Sequence, residues 1–304
     1  MATQQMVQGG AYRKPRLPRN LGSLVGQYAI NLLLAAFFIF PILFMVMSSF
    51  KANDQIFSDL RSLRAFLPVG TLSLANYDAV FTRSQFFRFL TNSVVVSAVT
   101  IMLSLTVNSM VAYALSRMVW PGRKLLLAII VATLIIPGET VIMPLLLLVS
   151  KLPGFSLAEG FKQGWLNSYH VQIIPFITSA FSIFLFYQFF RDIPKEFDEA
   201  ALVDGASRFQ IFHKIIVPNA GPVFATVTIL TFLGTWNAFL WPTMVIQSEE
   251  LRPVMVGMQY FFQQDTEWGE VMAYATLITL PVLLLFLFFQ GAFVKSIASS
   301  GIKG

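Results

Sequence analysis

Six stretches of this chain stay apolar for about 20 residues, the length an α-helix needs to cross a hydrocarbon layer of roughly 30 Å. They run over about 25–49, 91–116, 125–149, 171–190, 221–246 and 271–294. The first three and the sixth stand out, whereas the fourth and fifth carry more polar residues and depend on their neighbours. The pattern predicts an all-α membrane protein with six transmembrane helices. The apolar run Tyr28–Met47 exceeds the roughly 7–15 residues of a signal-peptide core, and no small-x-small site follows it, so it reads as an uncleaved anchor. Residues 1–24 read as a flexible basic cytoplasmic tail, and 25–304 as one transmembrane domain.

Composition narrows the class. Of 304 residues, 56% are hydrophobic and only 12% are Asp, Glu, Lys or Arg, about half the charge of a soluble globular chain. That is too little charge to coat an ordinary soluble enzyme, and too much apolar content for disorder. The absence of cysteine removes thiolate metal sites and cysteine nucleophiles. His170 and His213 stand alone, without the neighbours of a metal site. No metal and no catalytic residue are expected.

The net charge of +6 would suit nucleic acid as well as a membrane, and its placement decides between them. With both termini on the cytoplasmic side, the inner segments hold thirteen Lys and Arg, including Arg13, Lys14, Arg16, Arg19, Arg117, Arg123 and Lys124. The longer outer segments hold eight. This is the positive-inside asymmetry. The excess sits at membrane edges and forms no compact patch, so membrane lipid is the expected partner and nucleic acid is not.

The segment between the fourth and fifth stretches, about 191–220, carries the densest information. Pro194 suits a first helical turn, and Glu196, Asp198 and Glu199 sit where a helix N-terminus favours negative charge. Asp204-Gly205 breaks that helix, since Gly205 adopts φ > 0 at little cost. Ser207 and Gln210 form a capping-box pair that starts a second short helix, with Phe209, Phe212, Ile215 and Ile216 as its apolar face and Pro218 as its stop. A helix-turn-helix with glycine at its tip follows. From these residues alone, a hairpin that merely covers the bundle and a docking element for a cytoplasmic partner are equally open.

Glu199-Ala200-Ala201, three residues, Gly205, nine residues, Ile215-Ile216-Val217-Pro218 resembles the EAA loop of permease subunits of bacterial ABC importers, with Val217 where leucine is usual. Trp236 through Pro242 and Phe293-Val294 through Gly304 resemble the maltose-type, MalG-like carbohydrate branch, and the likeness extends over residues 25–304. The resemblance implies a coupling loop that seats in a separate ATPase, with Gly205 at the turn and Glu199, Ala200, Ala201, Asp204, Ser207, Phe209, Phe212, Ile215 and Pro218 around it. It implies a location in the bacterial inner membrane. The implied partners are a second homologous permease, two cytoplasmic ATPases that bind ATP and Mg, and an extracytoplasmic solute-binding protein. This chain has no G-x-x-x-x-G-K-[ST] phosphate loop and is expected to bind no cofactor itself.

Polar residues inside membrane stretches are costly and are functional candidates. Glu139, between Pro137-Gly138 and Pro144, marks a broken helix that faces either the pathway or the outer interface. Thr235, Trp236, Asn237 and Trp241 offer the amide, hydroxyl and aromatic groups that hold sugars, although such residues also serve interfaces and helix packing. Asn92 and Asn108 are weaker candidates. By position, the family likeness assigns Gln259, Tyr260, Gln263, Gln264 and Asp265 to contact with the binding protein. No Lys or Arg lies well inside a stretch, which favours a neutral sugar-like solute. A secondary transporter or channel without an ATPase is the alternative, and a single intramembrane carboxylate gives it thin support.

Overall fold

The computed structural model describes residues 21–156, 160–262 and 266–300. Most of the expected basic tail, the outer residues Gln263, Gln264 and Asp265, and the terminal Gly301–Gly304 lie outside the described residues.

The helices are α1 (Leu21–Ser48), α2 (Asn53–Asp59), α3 (Ala75–Arg83), α4 (Phe86–Arg117), α5 (Arg123–Ala132), α6 (Gly138–Lys151), α7 (Tyr169–Ile173), α8 (Ala180–Asp192), α9 (Glu196–Val203), α10 (Arg208–Ile211), α11 (Val217–Asn219), α12 (Gly221–Trp236), α13 (Leu240–Val245), α14 (Val254–Gly257) and α15 (Trp268–Ser300). The all-α expectation needs one correction. Pro153–Ser156 and Gly160–Gln163 pair as a small antiparallel hairpin, β1 and β2, with Pro153 opposite Gln163.

Three helices are long and apolar enough to cross a membrane unaided, spanning Gly22–Ser48, Phe86–Arg117 and Trp268–Gly291. Three bent pairs bring the candidates to as many as six. The third stretch breaks at Ile136-Pro137, where the two halves meet at 105°. Pro137 cannot donate to the helical ladder and disfavours helical geometry at Ile136. The fifth stretch is not one helix. α12 has 16 residues, about 24 Å of rise, and stops at Asn237, after which α13 resumes from Leu240.

α4 is the spine of the bundle and packs against both α8 and α12. Its buried face is built of small and polar residues: Ser93, Ser97, Thr100, Ser104, Asn108 and Ala112. Their spacing of three or four places them on one side. Small side chains let helix backbones approach where no hydrophobic effect drives association. Asn108 donates to the Ile177 carbonyl at 3.0 Å and accepts from the Ser179 amide at 3.1 Å, locking α4 to the start of α8. Asn92 likewise donates to the carbonyls of Glu250 and Arg252. Both asparagines are therefore packing elements.

α1 is exposed along most of its length and leans on α15 and the short turn Leu63–Phe66. The segment between α1 and α4 is tied down by buried charge. Lys51 donates to Asp59 at 3.0 Å and to the Arg64 carbonyl at 2.6 Å. Arg83 forks onto both oxygens of Glu270 at 2.7 and 2.6 Å, joining α3 to α15.

Candidate functional site

The helix-turn-helix is present as two short helices at one end of the bundle. α9 stops because Gly205 takes φ +80°. Its turn closes with Gly205 N–H to the Leu202 carbonyl at 3.1 Å and Ala206 N–H to Ala201 at 2.9 Å, the pattern of a glycine-terminated helix. The capping box is complete, with Gln210 N–H to Ser207 Oγ at 3.3 Å and Ser207 N–H to Gln210 Oε1 at 2.7 Å. Pro218 does not end the second helix, as its sequence position suggested. The chain widens into a π-helical turn over Phe212–Ile216 and passes through Pro218 before turning by 81° into α12. The wider turn accommodates the amide that Pro218 lacks.

The expected apolar face splits. Phe209 is 64% exposed, whereas Phe212 is 8% exposed and lies 5.2 Å from the Tyr113 ring in the core. Ile216 is also buried, and Ile215 and Ala201 pack partly against the same core. Glu199, Ala200, Asp204, Gly205, Ser207 and Pro218 are exposed. Val203 and Phe197 join Phe209 on the outside, at 88% and 51% exposure. The knob thus offers a small apolar surface beside the Glu199 carboxylate, which makes no ion pair among the described residues.

One residue that sequence reasoning treated only as an orientation charge holds this knob in place. Arg117, at the last turn of α4, is buried to 1% and grips both oxygens of Asp198 at 2.9 and 3.0 Å. Its remaining donors reach the carbonyls of Phe190 at 3.2 Å, Ile193 at 2.7 Å and Pro194 at 3.0 Å. Arg117 therefore satisfies the open C-terminal carbonyls of α8 and the first turn of α9 together. A planar, multiply bonded guanidinium thus ties α9 to α4 and the end of α8.

A cavity of about 580 Å³ opens among α4, α6, α8, α12 and α13. Glu139, in the first turn of α6, lines it, as do Thr235 and Trp241. Thr235 also donates to Ser97 at 2.9 Å, and Trp241 donates to the Val171 carbonyl at 3.0 Å. Two expected pathway residues lie elsewhere. Trp236 is 1% exposed, donates to the Ile278 carbonyl at 3.1 Å and stacks on Phe232 within the core. Asn237 is exposed and folds back onto the Leu233 carbonyl at 2.9 Å, closing α12. Thr235 and Trp236 are neighbours on α12 and point about 100° apart on the helix, so the first meets the cavity and the second the core.

The cavity also reveals Gln172. Its side chain is 3% exposed, and its amide nitrogen donates to the Leu251 carbonyl at 3.3 Å. Gln172 is one of the lining residues of the cavity, and its Oε1 is buried without a hydrogen-bond partner among the described residues. An unpaired buried acceptor costs about 1–3 kcal/mol. The only trace in the sequence is one polar residue among Val171, Ile173 and Ile174. Glu139 is the sole charged residue of the lining among the described residues.

Of the outer contact residues, Gln259 is exposed, while Tyr260 is held by Arg252 at 2.8 Å and stacks on Phe89. The segment is less an open loop than a pair of short helical turns pressed into the bundle, with Val254, Val256 and Phe261 buried.

Residues 104–299 match the family model described as binding-protein-dependent transport system inner membrane component. The chain is 32% identical over 269 residues to the probable ABC transporter permease protein YurM of Bacillus subtilis, covering 87% of this chain and 84% of that protein. It is 31% identical over 268 residues to the arabinooligosaccharides transport system permease protein AraQ of Halalkalibacterium halodurans, covering 88% and 91%. A bacterial ABC transporter solved for its role in importing the acidic polysaccharide alginate has a chain of similar fold, with TM-score 0.73, 22% identity, and 91% and 99% coverage.

Proposed function

The chain belongs to the family of binding-protein-dependent transport system inner membrane components, as a carbohydrate ABC importer permease, and we propose that it moves a neutral sugar by alternating access. The observation that carries this reading is the exposed α9–α10 knob, clamped by Arg117 to the spine helix that also walls the cavity. Six spans with both termini in the cytoplasm put this knob on the cytoplasmic face. There it seats in one of two ATPases, whose ATP and Mg stay on those partners. A second permease completes the translocation path, and a solute-binding protein delivers the sugar to the outer face.

ATP-driven closure of the ATPases displaces α9, and Arg117 passes the displacement to α4. Thr235 and Gln172, both in the cavity lining, offer a hydroxyl and an amide to sugar hydroxyls, while Trp241 supplies an aromatic wall. Glu139 disfavours anions, because a carboxylate beside a second negative charge is repelled. The relatives point to the same class, since AraQ transports arabinooligosaccharides.

The test is co-purification of the solubilised permease with its ATPases, followed by reconstitution with candidate binding proteins and sugars. A neutral oligosaccharide that stimulates ATP hydrolysis supports the reading. Recovery of the folded permease without any ATPase, with solute uptake intact, overturns it.

A further inference from the structure

The end of the bundle that carries α9 and α10 holds a second cavity of about 380 Å³, between the last turn of α4, the start of α5 and the α8–α9 junction. Five basic side chains line it: Arg117, Arg123, Lys124, Arg191 and Lys195. No carboxylate does, and the sequence neighbours Asp192 and Glu196 are not among the lining residues. Arg117 is committed to Asp198. The other four form no ion pair among the described residues. Arg123 is steadied by the Met118 carbonyl at 2.6 Å, and Arg191 lies 5.6 Å from the Tyr187 ring centre. Lys124, Arg191 and Lys195 are exposed and unneutralised.

Four like charges gathered in one concavity repel each other unless an anion sits between them. The rest of the wall is apolar, with Leu115, Leu127 and the Tyr187 ring. From its rim, α5 continues as an exposed apolar face through Leu125, Leu126 and Ile129. A ligand that satisfies both halves carries a phosphate at one end and hydrocarbon at the other.

We propose that this cavity binds the headgroup of an anionic phospholipid, whose acyl chains lie along the exposed face of α5. Basic pockets between transmembrane helices on the cytoplasmic side hold phosphate-bearing headgroups in this way. Arg191 and Lys195 flank the α8–α9 junction, so a bound headgroup stiffens the hinge on which the knob turns. The binding itself does not depend on the coupling role.

The experiment uses the complex purified with its ATPases in nanodiscs of phosphatidylcholine, with or without phosphatidylglycerol. Native mass spectrometry reads the lipid retained. Phosphatidylglycerol is retained selectively by the unaltered protein. Lys124→Gln weakens retention about fivefold, and the Lys124→Gln/Arg191→Gln/Lys195→Gln variant by on the order of a hundredfold. These side chains are exposed and form no ion pair among the described residues, so their neutralisation leaves the fold intact, as thermal unfolding confirms. Millimolar inorganic phosphate does not displace the lipid. Equal retention by the triple variant, or equal retention of phosphatidylcholine, overturns the proposal. Displacement by inorganic phosphate alone also overturns it, by assigning the cavity to a free anion.

Discussion

Replacing Arg117 with methionine isolates the link between the knob and the spine. The side chain is buried, forks onto Asp198 and donates to three carbonyls at the end of α8. Methionine keeps much of the volume and removes every donor, leaving a buried carboxylate without a partner. Breaking a buried pair from one side costs about 3–5 kcal/mol. At about 1.4 kcal/mol per tenfold, α9 should open some hundred- to thousandfold more often. Hydrogen exchange in nanodiscs reads this directly, as lost protection over 196–211 with α12 and α15 unaffected. Uptake should fall while basal ATP hydrolysis by the complex persists. The Arg117→Met/Asp198→Leu pair should recover part of the loss, because both charges leave together. Normal protection of α9 in the single variant refutes the clamp, and so does a double variant as open as the single one.

Four other outcomes are expected. Gly205→Ala meets no atom within 4 Å, so its only penalty is the left-handed φ, about 1–2 kcal/mol; uptake should fall several-fold with membrane insertion unchanged, and unchanged uptake would remove Gly205 from coupling. Gln172→Leu deletes an unpaired acceptor but also the donor to the Leu251 carbonyl, two opposing effects of about 1 kcal/mol each, so thermal stability should change little while the KM for uptake increases about tenfold; an unaltered KM would show that no solute hydroxyl reaches Oε1. Gly257→Ala places a methyl 2.4 Å from Phe89 Cδ2 and 2.5 Å from Tyr274 Oη, and overpacking of this kind should cost about 1–3 kcal/mol, read as a lower Tm in detergent. The hydrogen bond from Lys51 is the main influence holding the Asp59 carboxyl below its ordinary value. A depressed native pKa means the stabilisation is complete above the unfolded value of about 3.9 and drains as pH falls through the native one. Protection of residues 50–72 should therefore stay flat from neutral pH to about 5 and decline below about 4, and Lys51→Met should weaken that dependence, leaving the smaller share due to Gln55 and Arg64.

Much of the local architecture was legible from residue order, because it depends on short-range physics. The break at Pro137, the glycine turn at Gly205 and the Ser207–Gln210 cap are each set by a few neighbouring residues, and all are present in the structure, while three of the apolar stretches form helices long enough to span unaided. The β1–β2 hairpin was missed, as short strands in an outer connection carry no periodic signal. The course of the chain through Pro218 was missed too, since proline reads as a stop unless a π turn makes room for it.

Membership in the family and the helix-turn-helix were thus determined by sequence alone, through spacing that survives in any tertiary arrangement. Which side chains share a cavity was decided only by the tertiary structure. Trp236 and Trp241 are five residues apart in one apolar stretch, yet the first is buried in the core and the second lines the cavity. Arg117 and Asp198 stand 81 positions apart, and nothing in either neighbourhood names the other. Gln172 becomes significant only because the packing of α7 buries its oxygen without a partner. Such pairings depend on how helices cross, and a crossing is set by the summed packing of whole helix faces rather than by any local pattern of residues.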